Sequence, residues 1–269
     1  MMPEAEDIQI RTTSEESGAG SFKSGYIAVV GRPNVGKSTL MNRLVGQKLS
    51  IVTKKAQTTR HRILGIVSTD DYQAIFLDTP GVIDPKYGLQ NLMMKTVQMA
   101  MSDADVVLHL VDATKAAASN IDMLPDPAGR PAILAVNKMD IASKARALEL
   151  VAEATRTRAY DVVMPISAKT GLQLDKLLDE IVALLPQGPA YYPPEMITEQ
   201  PERFFVSEII REKIFERFRD EIPYAVQVNV VGFEERKDEK DLIDAEIVVE
   251  RETQKAIIIG RGGSGLKRV

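Results

Sequence analysis

The sequence predicts an α/β fold: a mostly parallel sheet with helices on both faces, followed by a smaller α+β domain. Three observations predict it. Short apolar runs alternate with helical stretches from Tyr26 to Leu185. A glycine- and lysine-bearing loop, "GRPNVGKS", joins the first such run to the first helix. A stretch with five prolines in sixteen residues then ends the alternation.

In chain order, residues 1–24 are acidic, Ser/Gly-bearing and aperiodic, and a disordered tail is expected there. This stretch has neither the apolar core of a signal peptide nor the acid-poor character of a transit peptide. In residues 25–185, "YIAVV" (26–30), "YQAIFLD" (72–78), "VVLHLVD" (106–112), "AILAVN" (132–137) and "VVMPIS" (162–167) read as buried strands. "KSTLMNRLVG", "LQNLMMKTVQMAMSDA", "SKARALELVAEATR" and "LDKLLDEIVALL" carry apolar residues at helical spacing. Met93, Met94, Met99 and Met101 are expected to pack on the sheet, His109 is expected in the core, and His61 is given no chemistry. Residues 186–200 read as a stiff, extended linker. In residues 201–269, Phe204, Ile209 or Ile210, Ile214 and Phe218 share one helical face. "YAVQVNVVGF" and "LIDAEIVVER" read as paired strands across the charged turn "EERKDEKD".

Composition narrows the function classes. The absence of cysteine excludes disulfides and thiolate zinc sites. No apolar run approaches the ~20 residues that span a bilayer. A net charge of −4 leaves no global basic footprint, so contact with nucleic acid must come from a local patch.

The motifs point to a guanine nucleotide. "GRPNVGKS" (31–38) follows a strand and opens a helix, so its backbone N–H groups can turn inward around phosphates beside the helix N-terminus. Gly31, Asn34, Val35, Gly36 and Thr39 are the expected cradle. Lys37 should reach the β- and γ-phosphates and Ser38 should ligate Mg²⁺. Asp78, forty residues on, is expected to hold Mg²⁺ through a water, while the Gly81 N–H meets the γ-phosphate. In the polar loop 54–62, Thr59 is expected to bring a second hydroxyl to Mg²⁺, with Thr58 as its rival. Lys37, Thr59 and Gly81 are thus candidates for catalysis. At the other end, "NKMD" (137–140) offers the Asp140 carboxylate to the N1–H and exocyclic amine of guanine, a donor pair that adenine lacks. Asn137 should tether loops, and Lys138 should cover the base with its aliphatic stem. Ser167, Ala168 and Lys169 can supply a backbone N–H to the guanine O6.

In the second domain, "AIIIGRGGSGL" (256–266) carries the G-x-x-G loop Gly260-Arg261-Gly262-Gly263, whose bare backbone can approach about four nucleotides of single-stranded RNA. It follows a helix and two strands, as in a type II KH domain. Against that, residues 201–269 hold 13 Lys/Arg and 15 Asp/Glu, so the domain is not basic.

Together these elements resemble the Era branch of the TrmE–Era–EngA group of P-loop GTPases, over about residues 25–269. "GRPNVGKSTLMNRLVGQKLSIVTKKAQTTRHRILGI" follows that pattern almost throughout. The resemblance implies slow, Mg²⁺-dependent hydrolysis of GTP to GDP. Val82 stands where Ras-like members carry a glutamine, and the resemblance implies K⁺ in its place. Asn34 would help to hold that ion against the phosphates, which adds Asn34 to the catalytic candidates. It also implies a monomer that binds the 3′ end of small-subunit ribosomal RNA during assembly of the small ribosomal subunit. The implied location is cytoplasmic, with peripheral association at the inner face of the cell membrane. The type II pattern continues with a longer helix and a strand after Val269, so the KH domain is expected to be partial. The alternative reading is a GTP/GDP-gated scaffold, or a membrane-surface GTPase, whose second domain binds protein.

Overall fold

Runs such as "YIAVV" and "VVLHLVD" have no polar face, so they are stable only in a sheet covered on both sides. In the computed structural model, which describes residues 22–53, 55, 58–115, 121–157, 159–237 and 239–269, they form such a sheet. Its strands are β1 (Lys23–Gly31), β2 (Ile63–Ser68), β3 (Tyr72–Asp78), β4 (Val106–Asp112), β5 (Ala132–Asn137) and β6 (Val162–Pro165), in the spatial order β2-β3-β1-β4-β5-β6. Only β2 pairs antiparallel, with β3. It adds a sixth strand to the five expected runs. β1 begins at Lys23, inside the segment expected as tail, and the rest of that segment to residue 21 lies outside the described residues.

Alternation along the strands sends side chains to two separate cores. Ile27 and Val29 pack with Leu40 and Met41 of α1 (Lys37–Val45) and with Leu177 and Ile181 of α4 (Leu174–Leu184). Ala28 and Val30 face the opposite way, against Val97 and Met101 of α2 (Gly88–Asp103). On that same side, Leu150 and Ala154 of α3 (Lys144–Thr157) cover Leu134 and Val136. Met93 and Met101 are buried as expected, but Met99 is 63% exposed because its position faces away from the sheet. His109 is fully buried, with Nδ1 3.0 Å from the Tyr160 hydroxyl. β1 lies between β3 and β4, so its carboxyl end opens onto the crevice where doubly wound sheets take ligands.

The proline-rich segment is more than a spacer. The Gln73 side chain accepts from the N–H groups of Tyr191 and Tyr192 and donates to the Tyr192 carbonyl, at 2.8–2.9 Å. Further on, Ile66 N–H donates to the Ile197 carbonyl at 2.9 Å and Thr198 Oγ1 donates to the Leu64 carbonyl at 2.7 Å. The segment therefore covers the open edge of β2, a common way to protect a sheet edge.

The second domain begins with α5 (Glu202–Arg217) and continues as β7 (Val226–Glu234), β8 (Leu242–Val249) and α6 (Glu252–Ile259). β7 and β8 pair antiparallel, with a register shift between Val230 and Gly232. Ile214 of α5 meets Ile222, Val226, Val228 and Ile258 in a small core, with Ile210 and Phe218 at its margin. Ile209 is exposed, which decides between the two isoleucines. Phe204 departs from the expected face: with Phe205 it packs on the core of the first domain. One helix thus serves both bodies.

Candidate functional site

A cleft of about 950 Å³ lies beyond the carboxyl ends of β1, β3 and β5. The loop after β1, Thr59, Gly81, Asn137, Lys138, Asp140, Ala168 and Lys169 all line it.

At the phosphate end, the chain turns sharply through Asn34 and Gly36, both with left-handed φ (62° and 107°). A Cβ on Gly36 would stand 2.3 Å from Asn137 Nδ2, so only glycine fits there. Lys37 is 7% exposed and donates to the Gly31 and Arg32 carbonyls at 3.0 and 3.2 Å. Burial pushes its ammonium down to about 8, against the pull of Asp78. Asp78 is fully buried, and neither carboxylate oxygen has a hydrogen-bond partner among the described residues. Burial raises its pKa, and Lys37, the Ser50 and Ser38 hydroxyls and the Thr79 N–H oppose that rise. Thr59, rather than Thr58, stands beside Ser38, with the two hydroxyls 3.2 Å apart. Lys54, Ala56 and Gln57 of the same loop lie outside the described residues.

These groups fit Mg²⁺. Among the described residues no group of three or more His, Cys, Asp or Glu could hold a metal. A cation here must therefore draw on two hydroxyls, an orphaned carboxylate, water and phosphate oxygens, which is the donor set that Mg²⁺ prefers. Val82 takes no part in the cleft wall: its side chain packs with Val97 and Met101 while its N–H donates to the Gly31 carbonyl at 3.0 Å.

At the other end, Asn137 joins three segments. Its Nδ2 donates to the Val35 carbonyl at 2.8 Å and its Oδ1 accepts from the Ala168 N–H at 2.9 Å. Ser167 Oγ donates to Asp140 Oδ1 at 2.8 Å, which orients an exposed carboxylate. The cleft is open on that side, so a bound base would be what covers it. The Ser167 N–H goes to the Leu172 carbonyl, so both it and the Ala168 N–H are already engaged. Lys138 reaches the Asn34 carbonyl and Asp112, each at 2.7 Å, and lays its stem along the cleft. Burial would raise the Asp112 carboxyl, but hydrogen bonds from Lys138 and Thr114 hold it below its usual range.

The sequence reading missed a second wall. Phe215 and Glu216 of α5 also line the cleft. The loop around Thr59 is fastened to the second domain on both flanks. Lys55 donates to the Phe215 and Phe218 carbonyls, and the Val52 N–H and Lys48 both reach Glu212. Arg60 donates to the carbonyls of Pro223, Tyr224 and Val226, and Arg211, held by Glu208, donates to the Thr58 carbonyl. No local pattern marks such long-range partners. "QTTRHR" alone, with its uncommitted arginine, was a signal.

In the second domain the loop Gly260–Gly263 leaves α6 with left-handed φ at Gly260, Gly262 and Gly263. Arg261, Lys267 and Arg268 stand exposed around it, which supplies the local basic patch that the overall charge does not.

A family described as "50S ribosome-binding GTPase" matches residues 26–138, and one described as "KH domain" matches residues 221–269. "GTPase Era" of Heliobacterium modesticaldum is 42% identical over 251 residues, covering 92% of this chain and 84% of that protein. "GTPase ERA1, chloroplastic" of Zea mays is 48% identical over 263 residues, or 94% of this chain, which spans only 63% of that longer relative. A crystal structure of Era in complex with MgGDPNP and nucleotides 1506–1542 of 16S ribosomal RNA superposes with a TM-score of 0.86 at 38% identity, covering 92% and 85% of the two chains. A point variant of Aquifex aeolicus Era bound to GDP·AlF₄⁻ gives 0.85, also at 38% identity, covering 91% and 85%.

Proposed function

Because the chain belongs to the Era family of GTPases, we propose that it hydrolyses GTP to GDP and that its nucleotide state controls an RNA-binding KH domain. The observation that carries this reading is one continuous cleft with Asp140 at its base end and Lys37 at its phosphate end, with the charge of the fully buried, orphaned Asp78 acting on Lys37 from behind the cleft wall. Asp140, oriented by Ser167, reads the guanine donor edge, and the N–H of Lys169 is the one left in its tripeptide for the guanine O6. Lys37 exchanges its two loop carbonyls for phosphate oxygens. Ser38, Thr59 and Asp78 hold Mg²⁺, which when bound neutralises charge on the phosphates. Asn34, at the cleft wall, carries a side-chain amide oxygen of the carbonyl type that suits K⁺. Faster hydrolysis in KCl than in NaCl, lost in Asn34→Ala, checks that assignment; equal rates in the two salts reject it.

Residues 25–185 form the GTPase domain, 186–200 its connector, and 201–269 the KH domain, with α5 shared. Gly260–Gly263 and its basic surround suit single-stranded RNA. The 16S ribosomal RNA in the related complex supports the 3′ end of small-subunit ribosomal RNA as target, and small-subunit assembly as the setting. The compartment, cytoplasm or plastid, is the one that houses that RNA. A monomer suffices, since cleft and loop belong to one chain. Peripheral contact with a membrane's inner face stays in the proposal by family resemblance; among the described residues no helix is long and apolar enough to cross a bilayer.

The test is nucleotide competition. GTP and GDP should displace a labelled guanine nucleotide while ATP does not, and Asp140→Asn should shift preference toward xanthine, whose 2-oxo group accepts from an amide. ATP competing as well as GTP would overturn the base assignment. RNA binding that survives Gly262→Asp, with GTP binding intact, would place the RNA surface on the GTPase domain or the linker and overturn the KH reading of Gly260–Gly263.

A further inference from the structure

We propose that a cavity between the two domains is a second ligand site, built for a small amphipathic organic acid with an apolar body and one anionic head. The inference goes beyond the GTPase reading and does not depend on it.

The cavity encloses about 420 Å³ and shares no lining residue with the nucleotide cleft. Four segments meet there: the loop that follows Thr59, α2, α5 and β7. A cavity of this size at a domain boundary, mostly apolar with a few polar groups, is the usual form of a small-molecule site. Leu89, Leu92 and Met93 of α2, Phe204 of α5 and Val228 of β7 supply the apolar wall. Met93 and Val228 are buried, whereas Leu89 and Leu92 are 39% and 60% exposed, so the cavity opens to solvent along α2. An apolar ligand would take that wall out of water.

The charge selects the head. Arg60, Glu208 and Arg211 are the charged groups of the wall, with His61 beside them. Glu208 accepts from Arg211 Nε and Nη2 at 2.8 and 2.7 Å, so that buried pair cancels. Arg60 is different. Its bonds run to the carbonyls of Pro223, Tyr224 and Val226, and among the described residues it makes no ion pair. Nε and one hydrogen of Nη1 stay uncommitted among those bonds. A half-buried cation held by neutral carbonyls keeps its full charge, and an anion beside it would complete the pairing. His61, which is exposed, adds a ring N–H. One net positive charge in an apolar wall suits a single carboxylate on an apolar body. It suits neither a polyphosphate nor a cation.

Calorimetric titration of the full chain, with excess GDP and Mg²⁺ to keep the nucleotide cleft filled, tests this. Decanoate should bind saturably at one site. Acetate, which lacks the body, and decylammonium, which reverses the charge, should each bind about ten-fold more weakly or worse. Leu92→Glu should weaken decanoate about ten-fold, by removing apolar contact and setting a carboxylate at the mouth. Leu92 is mostly exposed, so its thermal melt should stay at the wild-type value. Met99→Glu places the same charge on the same helix outside the cavity, at an exposed position, and should leave decanoate affinity unchanged. Arg60→Gln should erase the preference for decanoate over decylammonium. The proposal is overturned by the absence of saturable decanoate binding, by equal affinity for the two long-chain probes, or by equal losses in the two glutamate variants. A preference that survives loss of Arg60 overturns it as well.

Discussion

Val82 shows how one residue can be chemically silent and structurally needed. It stands one position after Gly81, where a side chain aimed into the cleft would orient water, but its own side chain is 8% exposed and packs in the α2 core. Val82→Ala should therefore cost about 1–3 kcal/mol of stability by losing two buried methyl groups. Hydrolysis per folded molecule should change less than three-fold. Denaturant unfolding beside single-turnover kinetics separates the two effects, and a large rate loss at unchanged stability would mean that residue 82 touches the reaction. At this scale the site was legible because each motif residue is fixed by the chemistry of its ligand: lysine for phosphate, a hydroxyl for the cation, a carboxylate for guanine. Thr59 was the expected choice over Thr58, but it is the loop's path that brings its hydroxyl to Ser38.

Elements were legible where periodicity speaks and obscure where a partner decides. The five strand runs and the helices between them follow from apolar spacing. β2 is harder to read: it is an edge strand, and its completion comes from a proline-rich segment more than a hundred residues away. α5 misleads for a related reason, since Phe204 fits its amphipathic face but belongs, with Phe205, to another core. Gln73, fully buried, makes three hydrogen bonds to that proline-rich segment and is its main anchor. Gln73→Ala leaves two Tyr N–H groups and a carbonyl without partners at a covered edge, a loss of about 1–3 kcal/mol for each buried group left unsatisfied. Hydrogen exchange should accelerate over residues 190–198 and β2 while nucleotide affinity stays within two-fold. Uniform acceleration over the whole chain would show instead that the segment opens only with global unfolding.

Across the whole molecule, the loop bearing Thr59 touches both the cation site and the second domain. On one side it offers a hydroxyl to Ser38; on the other, Arg60 binds three carbonyls at the start of β7, and Arg211 reaches back to the Thr58 carbonyl. Burial and the neighbouring Arg211 lower the Arg60 pKa to about 10, so it remains a cation at neutral pH and its charge-assisted bonds persist. If drawing Thr59 toward a γ-phosphate strains or breaks those bonds, GTP and GDP will couple to the KH domain with different free energies. Such coupling is reciprocal: if a GTP analogue changes RNA affinity by some factor relative to GDP, RNA must change the preference for the GTP analogue over GDP by the same factor. Arg60→Ala should shrink that factor in both directions together, toward one, while leaving RNA affinity in the GDP state within a few-fold. Titrations of RNA against each nucleotide form, and of each nucleotide against the RNA complex, measure the two sides separately. A factor that survives loss of Arg60 would move the coupling to the Lys55 and Glu212 contacts on the other flank of the loop, and a factor of one in the unaltered protein would show that the two domains bind their ligands independently.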